Sequence, residues 1–155
     1  MARIDYYDDP DAPRANSLVP AASAVVVDPA GRVLLHRRRD NDLWALPGGG
    51  MQPGESIGDT AVREVKEETG YDVRPLYIIG VYSDPKHVFA YDDGEVRQEF
   101  SVCIACELLG GELTSSPESH EVAWQGTDTL ELLPMHPRIR VRVLDFLAGR
   151  RAAVS

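Results

Sequence analysis

The chain has 155 residues, 43% of them hydrophobic, enough for one well-buried core and too few for two full domains. Its formal net charge of -9 argues against a surface built to hold nucleic acid, because polyphosphate affinity rests on Lys and Arg neutralising phosphates; a phosphate-bearing ligand would need divalent cations. No stretch approaches the ~20 consecutive apolar residues that span a bilayer, and the acidic, Pro-rich start differs from a signal peptide, so the expectation is a cytoplasmic chain without membrane contact.

Residues 1–20 mix Asp, Pro, Arg and Asn without periodicity and read as a leader preceding a domain of residues 21–150. From Ala21 the run to Val27, the turn Asp28-Pro-Ala-Gly31 and the segment Arg32 to His36 read as two strands, most simply a hairpin. Trp44-Ala-Leu46 then runs into Pro47-Gly48-Gly49-Gly50, a loop where the backbone can take positive φ or approach a ligand closely. Ser56, with Asp59 three residues on, predicts a helix N-cap, and Gly70 suits the position just past the helix end. Val73 to Tyr82, Phe100 to Leu108 and Glu121 to Trp124 predict strands, and Pro137 to Leu147 predicts an amphipathic helix. The sum is a mixed α/β domain. Cys103 and Cys106, three apart on a predicted strand, point to opposite faces, which favours packed thiols over zinc or redox pairing.

Within the first helix Glu64, Glu67 and Glu68 stand at i, i+3 and i+4, spanning roughly a third of the circumference. Like charges so spaced repel and call for a cation or plain solvent, and hard oxygen ligands select Mg²⁺ or Mn²⁺. Ala61, Val65 and Thr69 form the neighbouring stripe that packs on the sheet, while Arg63 and Lys66 fall on the wet side.

The segment Gly49 to Tyr71 resembles the box of the Nudix hydrolase family: Gly49, five residues, Glu55, seven residues, Arg63-Glu64-Val65-Lys66-Glu67-Glu68-Thr69-Gly70-Tyr71. Seven fixed residues at roughly 5 to 7% usage each coincide by chance on the order of once in a million chains. Tyr71 departs from the aliphatic residue more usual there. The resemblance implies an α/β/α sandwich with a mixed β-sheet, in which the box holds divalent ions against a diphosphate. It implies Glu64, Glu67 and Glu68 as metal ligands together with the Gly48 carbonyl, Glu67 or Glu64 as base, Arg63 orienting the carboxylates, and Glu55 as its structural partner. Similar enzymes add a glutamate from a later loop, a part open to Glu118 or Glu121. Arg37 of the Arg37-Arg38-Arg39 run and Arg97 are candidates for phosphate contact, Gly49 for close approach, and Tyr82 and Trp124 for stacking on a base or filling the core. Trp44 reads as packing, and His36, His87, His120 and His136 as surface or packing residues without a role.

The stretch Gly80 to Lys86 looks like the bacterial ADP-ribose pyrophosphatase branch of these MutT-like proteins, although Pro85 fits that group's proline poorly. The expected reaction is hydrolysis of a nucleoside diphosphate linked to another moiety, of ADP-ribose or nucleotide-sugar type. The alternatives are a sanitising pyrophosphohydrolase for oxidised nucleoside triphosphates and a non-catalytic nucleotide-sugar sensor. An isopentenyl diphosphate isomerase shares the fold, but the two strand cysteines fit it badly. The resemblance allows a homodimer.

Overall fold

The computed structural model describes residues 3–155. A strand β1 (Arg3–Tyr7) is followed by β2 (Ala21–Val26), β3 (Val33–Arg38), β4 (Trp44–Ala45), β5 (Gly48–Gly50) and the helix α1 (Ile57–Thr69). Then come β6 (Tyr71–Tyr82), β7 (His87–Tyr91), β8 (Val96–Gln98), β9 (Ser101–Gly111), β10 (Ser119–Gln125), the helix α2 (Pro137–Leu147) and β11 (Ala153–Val154).

The central sheet has the order β11-β6-β9-β2-β5 and mixes parallel β2–β9 with antiparallel β6–β9 pairing. Its strands alternate between two cores. Ala22, Ala24 and Val26 of β2 join Ile104 and Cys106 of β9 under Ala61 and Val65 of α1. Val25, Cys103 and Ala105 face the other way, toward Val143 of α2. The chain is therefore a helix–sheet–helix sandwich, and the two free thiols lie on opposite faces, as period-two alternation requires.

The hairpin expected from residues 21–36 is replaced by two strands in different sheets. Both edges of β2 are taken, by β9 and β5, so β3 pairs instead with β10 and β4. The turn itself forms, with the bridge Val27↔Val33, the bond from the Asp28 amide to the Arg32 carbonyl, 3.0 Å, and the Gly31 amide donating to the Asp28 carbonyl at 2.9 Å, but the pairing goes no further. Helix α1 begins in a reciprocal capping box between Ser56 and Asp59 and ends on Gly70 at φ 85. Helix α2 opens with Pro137 behind the capping side chain of His136.

Of the segment 1–20, residues 1 and 2 lie outside the described residues. The rest packs on the domain, with β1 pairing antiparallel to β7 and β7 to β8 in a second three-stranded sheet. Among the described residues, no helix is long and apolar enough to cross a membrane.

Candidate active site

The triple glycine forms β5, pairing antiparallel with β2 as Ser23↔Gly48, Ala22↔Gly49 and Ala21↔Gly50. None of the three needs a positive φ. Close approach is what demands glycine here. A Cβ on Gly48 would meet the Ala22 carbonyl oxygen at 2.4 Å, and one on Gly49 would meet Glu64 Oε1 at 2.5 Å.

Arg63 organises the acidic turn. Its Nε donates to Glu55 at 2.6 Å and its Nη1 to Glu64 at 2.7 Å. Nη2 donates to the Gly50 carbonyl at 3.0 Å, and Nη1 reaches Glu67 at 3.2 Å. The expectation that Arg63 faces solvent is corrected: the glycine bend and Glu55 draw it across the helix, whereas Lys66 is the exposed cation. The bond from Arg63 holds the Glu55 carboxyl down at about 2.

Glu64 and Glu68 are buried, at 9% and 3% exposure. Glu68 accepts the Gly48 amide at 3.0 Å and stands 3.5 Å from His36 Nε2. Burial, and then the Glu64 charge, push Glu68 well above the usual carboxylate range, while burial lowers His36 to about 4, leaving it neutral and no counter-ion. Ser119 Oγ lies 2.7 Å from His36 Nδ1 and fixes that ring.

Glu67 stands apart, its side chain 57% exposed and held, among the described residues, by Arg63 alone. The spacing brings two carboxylates together rather than three, and among the described residues no three acidic, His or Cys side chains converge as a ready metal cluster. Without a cation between them, like charges separate toward solvent and the guanidinium. The donor set nevertheless fits a divalent ion: two buried carboxylates adjoin, Arg63 balances Glu64 alone and leaves Glu68 without a counter-ion, and the missing Cβ of Gly49 makes room for Glu64.

A cavity of about 400 Å³ opens over this bend and is lined by Gly48, Gly49, Glu64 and Glu68. Arg97 and Glu118 line it too; Arg97 is oriented by Glu95 through bonds of 2.8 and 2.9 Å. Three expected substrate contacts lie elsewhere. Arg37 turns to Asp42 at 3.1 Å, and its neighbours Arg38 and Arg39 line the cavity instead. Tyr82 is fully buried in the core on the α2 side and donates to Asp145 at 2.7 Å. Trp124 packs beside Tyr71 and donates to its hydroxyl at 3.1 Å. Trp44 packs in the core, as read from the sequence, and its ring also borders the cavity.

The sequence reading missed His36 behind Glu68 and a buried cluster around Glu99. Glu99 receives Arg138 at 2.9 Å, Arg142 at 3.1 Å and His87 at 3.2 Å. The alternation of β3 was the available signal for His36; nothing local marked Glu99.

The family model described as the NUDIX domain matches residues 17–146. A Bacillus subtilis (strain 168) protein named "Putative 8-oxo-dGTP diphosphatase" is 48% identical over 129 residues, covering 83% of this chain and 79% of its own length. An ADP-ribose pyrophosphatase of Methanocaldococcus jannaschii is 30% identical over 111 residues, covering 70% of this chain and 62% of its own. Among solved structures, a Nudix hydrolase from Nitrosomonas europaea superposes with TM-score 0.70 at 21% identity, covering 88% of this chain and 93% of that one. An ADP-ribose pyrophosphatase from Streptococcus suis gives 0.65 at 26% identity, covering 88% and 96%.

Proposed function

The chain belongs to the Nudix hydrolase family, enzymes that cut phosphorus anhydrides in small nucleotide substrates and generally use divalent metal ions, and from that premise we propose what this member cuts and with which residues. The substrate is a nucleoside diphosphate joined to a second moiety, the class that contains ADP-ribose and the nucleotide sugars. The observation that carries the reading is the adjacent buried pair Glu64 and Glu68 against Gly49, with one guanidinium between them and solvent, in a cavity of the size of small-molecule sites.

Glu64, Glu68 and the Gly48 carbonyl would hold Mg²⁺ or Mn²⁺, with Glu67 swinging in from solvent and Glu118 reaching from its loop. The ion supplies neutralisation of diphosphate charge and a lowered pKa for the attacking water. Arg63 keeps Glu64 oriented through the 2.7 Å bond, supported from behind by Glu55. Glu67 is the carboxylate free to take the proton of the attacking water, with Glu64 as the other choice. Arg97 and Arg38 bring positive charge to a diphosphate in the cavity. A second reading, sanitising of an oxidised nucleoside triphosphate, is supported by the name of the relative at 48% identity.

The test is incubation of purified protein with Mg²⁺ or Mn²⁺ and a panel of nucleotide sugars, dinucleotides and oxidised triphosphates, with product identification, beside Glu67→Gln. Turnover of linked diphosphates with loss in the variant is expected. Equal turnover by the variant removes Glu67 as the base, and binding without turnover on the whole panel turns the reading toward a sensor.

A further inference from the structure

The cavity has a second wall, which the diphosphate chemistry leaves unused. It is built by β1 and β7, and it carries polar atoms without hydrogen-bond partners among the described residues. His87 is 4% exposed in its side chain, and its Nδ1 faces Glu99 at 3.2 Å. Its Nε2 has no partner, and the nearest carboxylate oxygen, of Asp5, is 3.9 Å away. Arg3 Nε and Asp5 Oδ1 lie 3.1 Å apart, yet neither completes a hydrogen bond. Nε of the buried Arg142 is also unpaired. All four residues line the cavity, together with Phe89 and Tyr91. Buried polar atoms are nearly always paired, so four open ones around one cavity point to a ligand that pairs them.

Their chemistry narrows that ligand. Burial works against the Asp5 charge, but His87 and Arg3 outweigh it and hold the carboxyl below its usual range, so the group is an acceptor only. His87 is likewise raised, against burial, by Asp5 and Glu99, which favours the imidazolium, the form that donates from both ring nitrogens. A phosphate is repelled by Asp5, and a lone hydroxyl leaves most of these atoms open. An aromatic heterocycle with two adjacent N–H groups beside a carbonyl pairs a carboxylate and its neighbouring cations at once. Among nucleobases, guanine presents that edge; adenine presents a single amino group between ring acceptors.

We propose that this wall is a base-recognition subsite for a 2-amino-6-oxopurine, with Asp5 accepting its paired N–H groups and Arg3, held over the Phe89 ring at 4.3 Å, and His87 facing its 6-oxo group. The inference rests on the nucleotide reading of the preceding subsection and sharpens it. Oxidation at the purine 8-position leaves that edge intact, so guanine-linked diphosphates and oxidised guanine triphosphates both fit, and ADP-ribose does not. The discriminating strand β1 lies outside residues 17–146, the part that the family model matches.

The test is calorimetric titration of the full chain with GDP, ADP and UDP in Ca²⁺, for wild type, Asp5→Asn and His87→Gln. GDP should bind at least about tenfold tighter than ADP or UDP, and Asp5→Asn, which puts an amide N–H against the ligand's donors, should weaken GDP about tenfold while moving ADP less than about threefold. His87→Gln should shift the same ratio in the same direction. The GDP/ADP ratio within one preparation is insensitive to partial unfolding, which lowers both. Equal binding of the three nucleotides, or an equal loss for all of them in Asp5→Asn, overturns the subsite. Absence of any nucleotide binding overturns the nucleotide reading and this inference with it, whereas base-selective binding without turnover supports the subsite and counts against hydrolysis alone.

Discussion

Alanine placed at each of the three consecutive glycines separates folding from chemistry. At Gly49 the added Cβ lies 2.5 Å from Glu64 Oε1, about 0.9 Å inside the 3.4 Å at which ordinary contact begins. The backbone there has no positive φ, so the collision is the whole penalty, and the far end of a flexible side chain can yield. Pushing Glu64 off its rotamer costs about 0.5–1.5 kcal/mol, and replacing Gly by Ala returns about 0.4–1 kcal/mol through the unfolded chain, so the melting temperature should barely move. A carboxylate misplaced by about 1 Å should nonetheless lower turnover about 10²-fold. At Gly48 the same methyl meets backbone, the Ala22 oxygen at 2.4 Å and Ser23 Cα at 2.9 Å, and can be accommodated only by opening the β2–β5 ladder. That costs about 1–3 kcal/mol, roughly 2–12 °C for a chain this size. At Gly50 the nearest atoms, Arg97 Nη1 and Val19 Cγ1, are at 3.6 Å, and both stability and activity should survive. Thermal melts and turnover of the fastest substrate in the panel read the three variants. A folded Gly49→Ala protein within about threefold of wild-type kcat would refute the placement of Glu64 at the reacting centre.

Three further outcomes follow from the same contacts. Glu68→Gln replaces a carboxyl whose charge burial and Glu64 disfavour while keeping an oxygen for the Gly48 amide, so in EDTA it should melt at or above wild type, and adding Mg²⁺ should raise the melting temperature of wild type only. Glu99 illustrates pH dependence. Burial opposes its charge, but His87, Arg138 and Arg142 lower it from 4.5 to about 2, giving about 3 kcal/mol that is present above pH 4.5 and lost as pH falls toward 2. His87, raised from 6.5, contributes below that pH and loses its contribution as pH rises through the raised value, so this pair stabilises most between pH 4.5 and 6.5. Glu99→Gln should therefore melt well below wild type at pH 6, the curves converging as pH approaches 2, and a constant gap would contradict the assignment. Tyr82→Phe should lose about 1.5–3 kcal/mol with its bond to Asp145, while KM stays unchanged; a raised KM would return Tyr82 to the substrate.

The first helix was legible because its signals are local: Ser56 and Asp59 cap each other within one turn, and Gly70 takes the left-handed position that ends it. The same locality misled at residues 21–36, where a turn between two apolar runs suggests a hairpin. Which strand lies beside β2 is decided by β9, some eighty residues away. Strands β7 and β8 are short and joined through a tight Asp-Gly turn, and β1 is charged and aromatic, so none carries a pattern that stands out before its partners are known. At the site, spacing gave the angular spread of Glu64, Glu67 and Glu68 but not their rotamers, and Arg63 claims Glu67. Period-two alternation showed that the arginines after His36 face opposite ways but left the phase open. The phase is set by His36 itself, which turns toward Glu68 and carries Arg38, not Arg37, to the cavity side.

This division has a physical origin. Groups that hold a cation must sit within a few ångströms of one another, and one helical turn against one bend achieves this with residues close in sequence, which makes the chemistry readable as a motif. A wall that selects one ligand over another needs only surfaces that converge on the cavity, from wherever the chain brings them: Asp5 from the first strand, His87 from a central one, Arg142 from the last helix. No spacing rule links those three. On the proposed subsite, changes at Asp5 or His87 should alter nucleotide preference without disturbing Glu64 and Glu68, because the two groups of residues share the cavity but no contact.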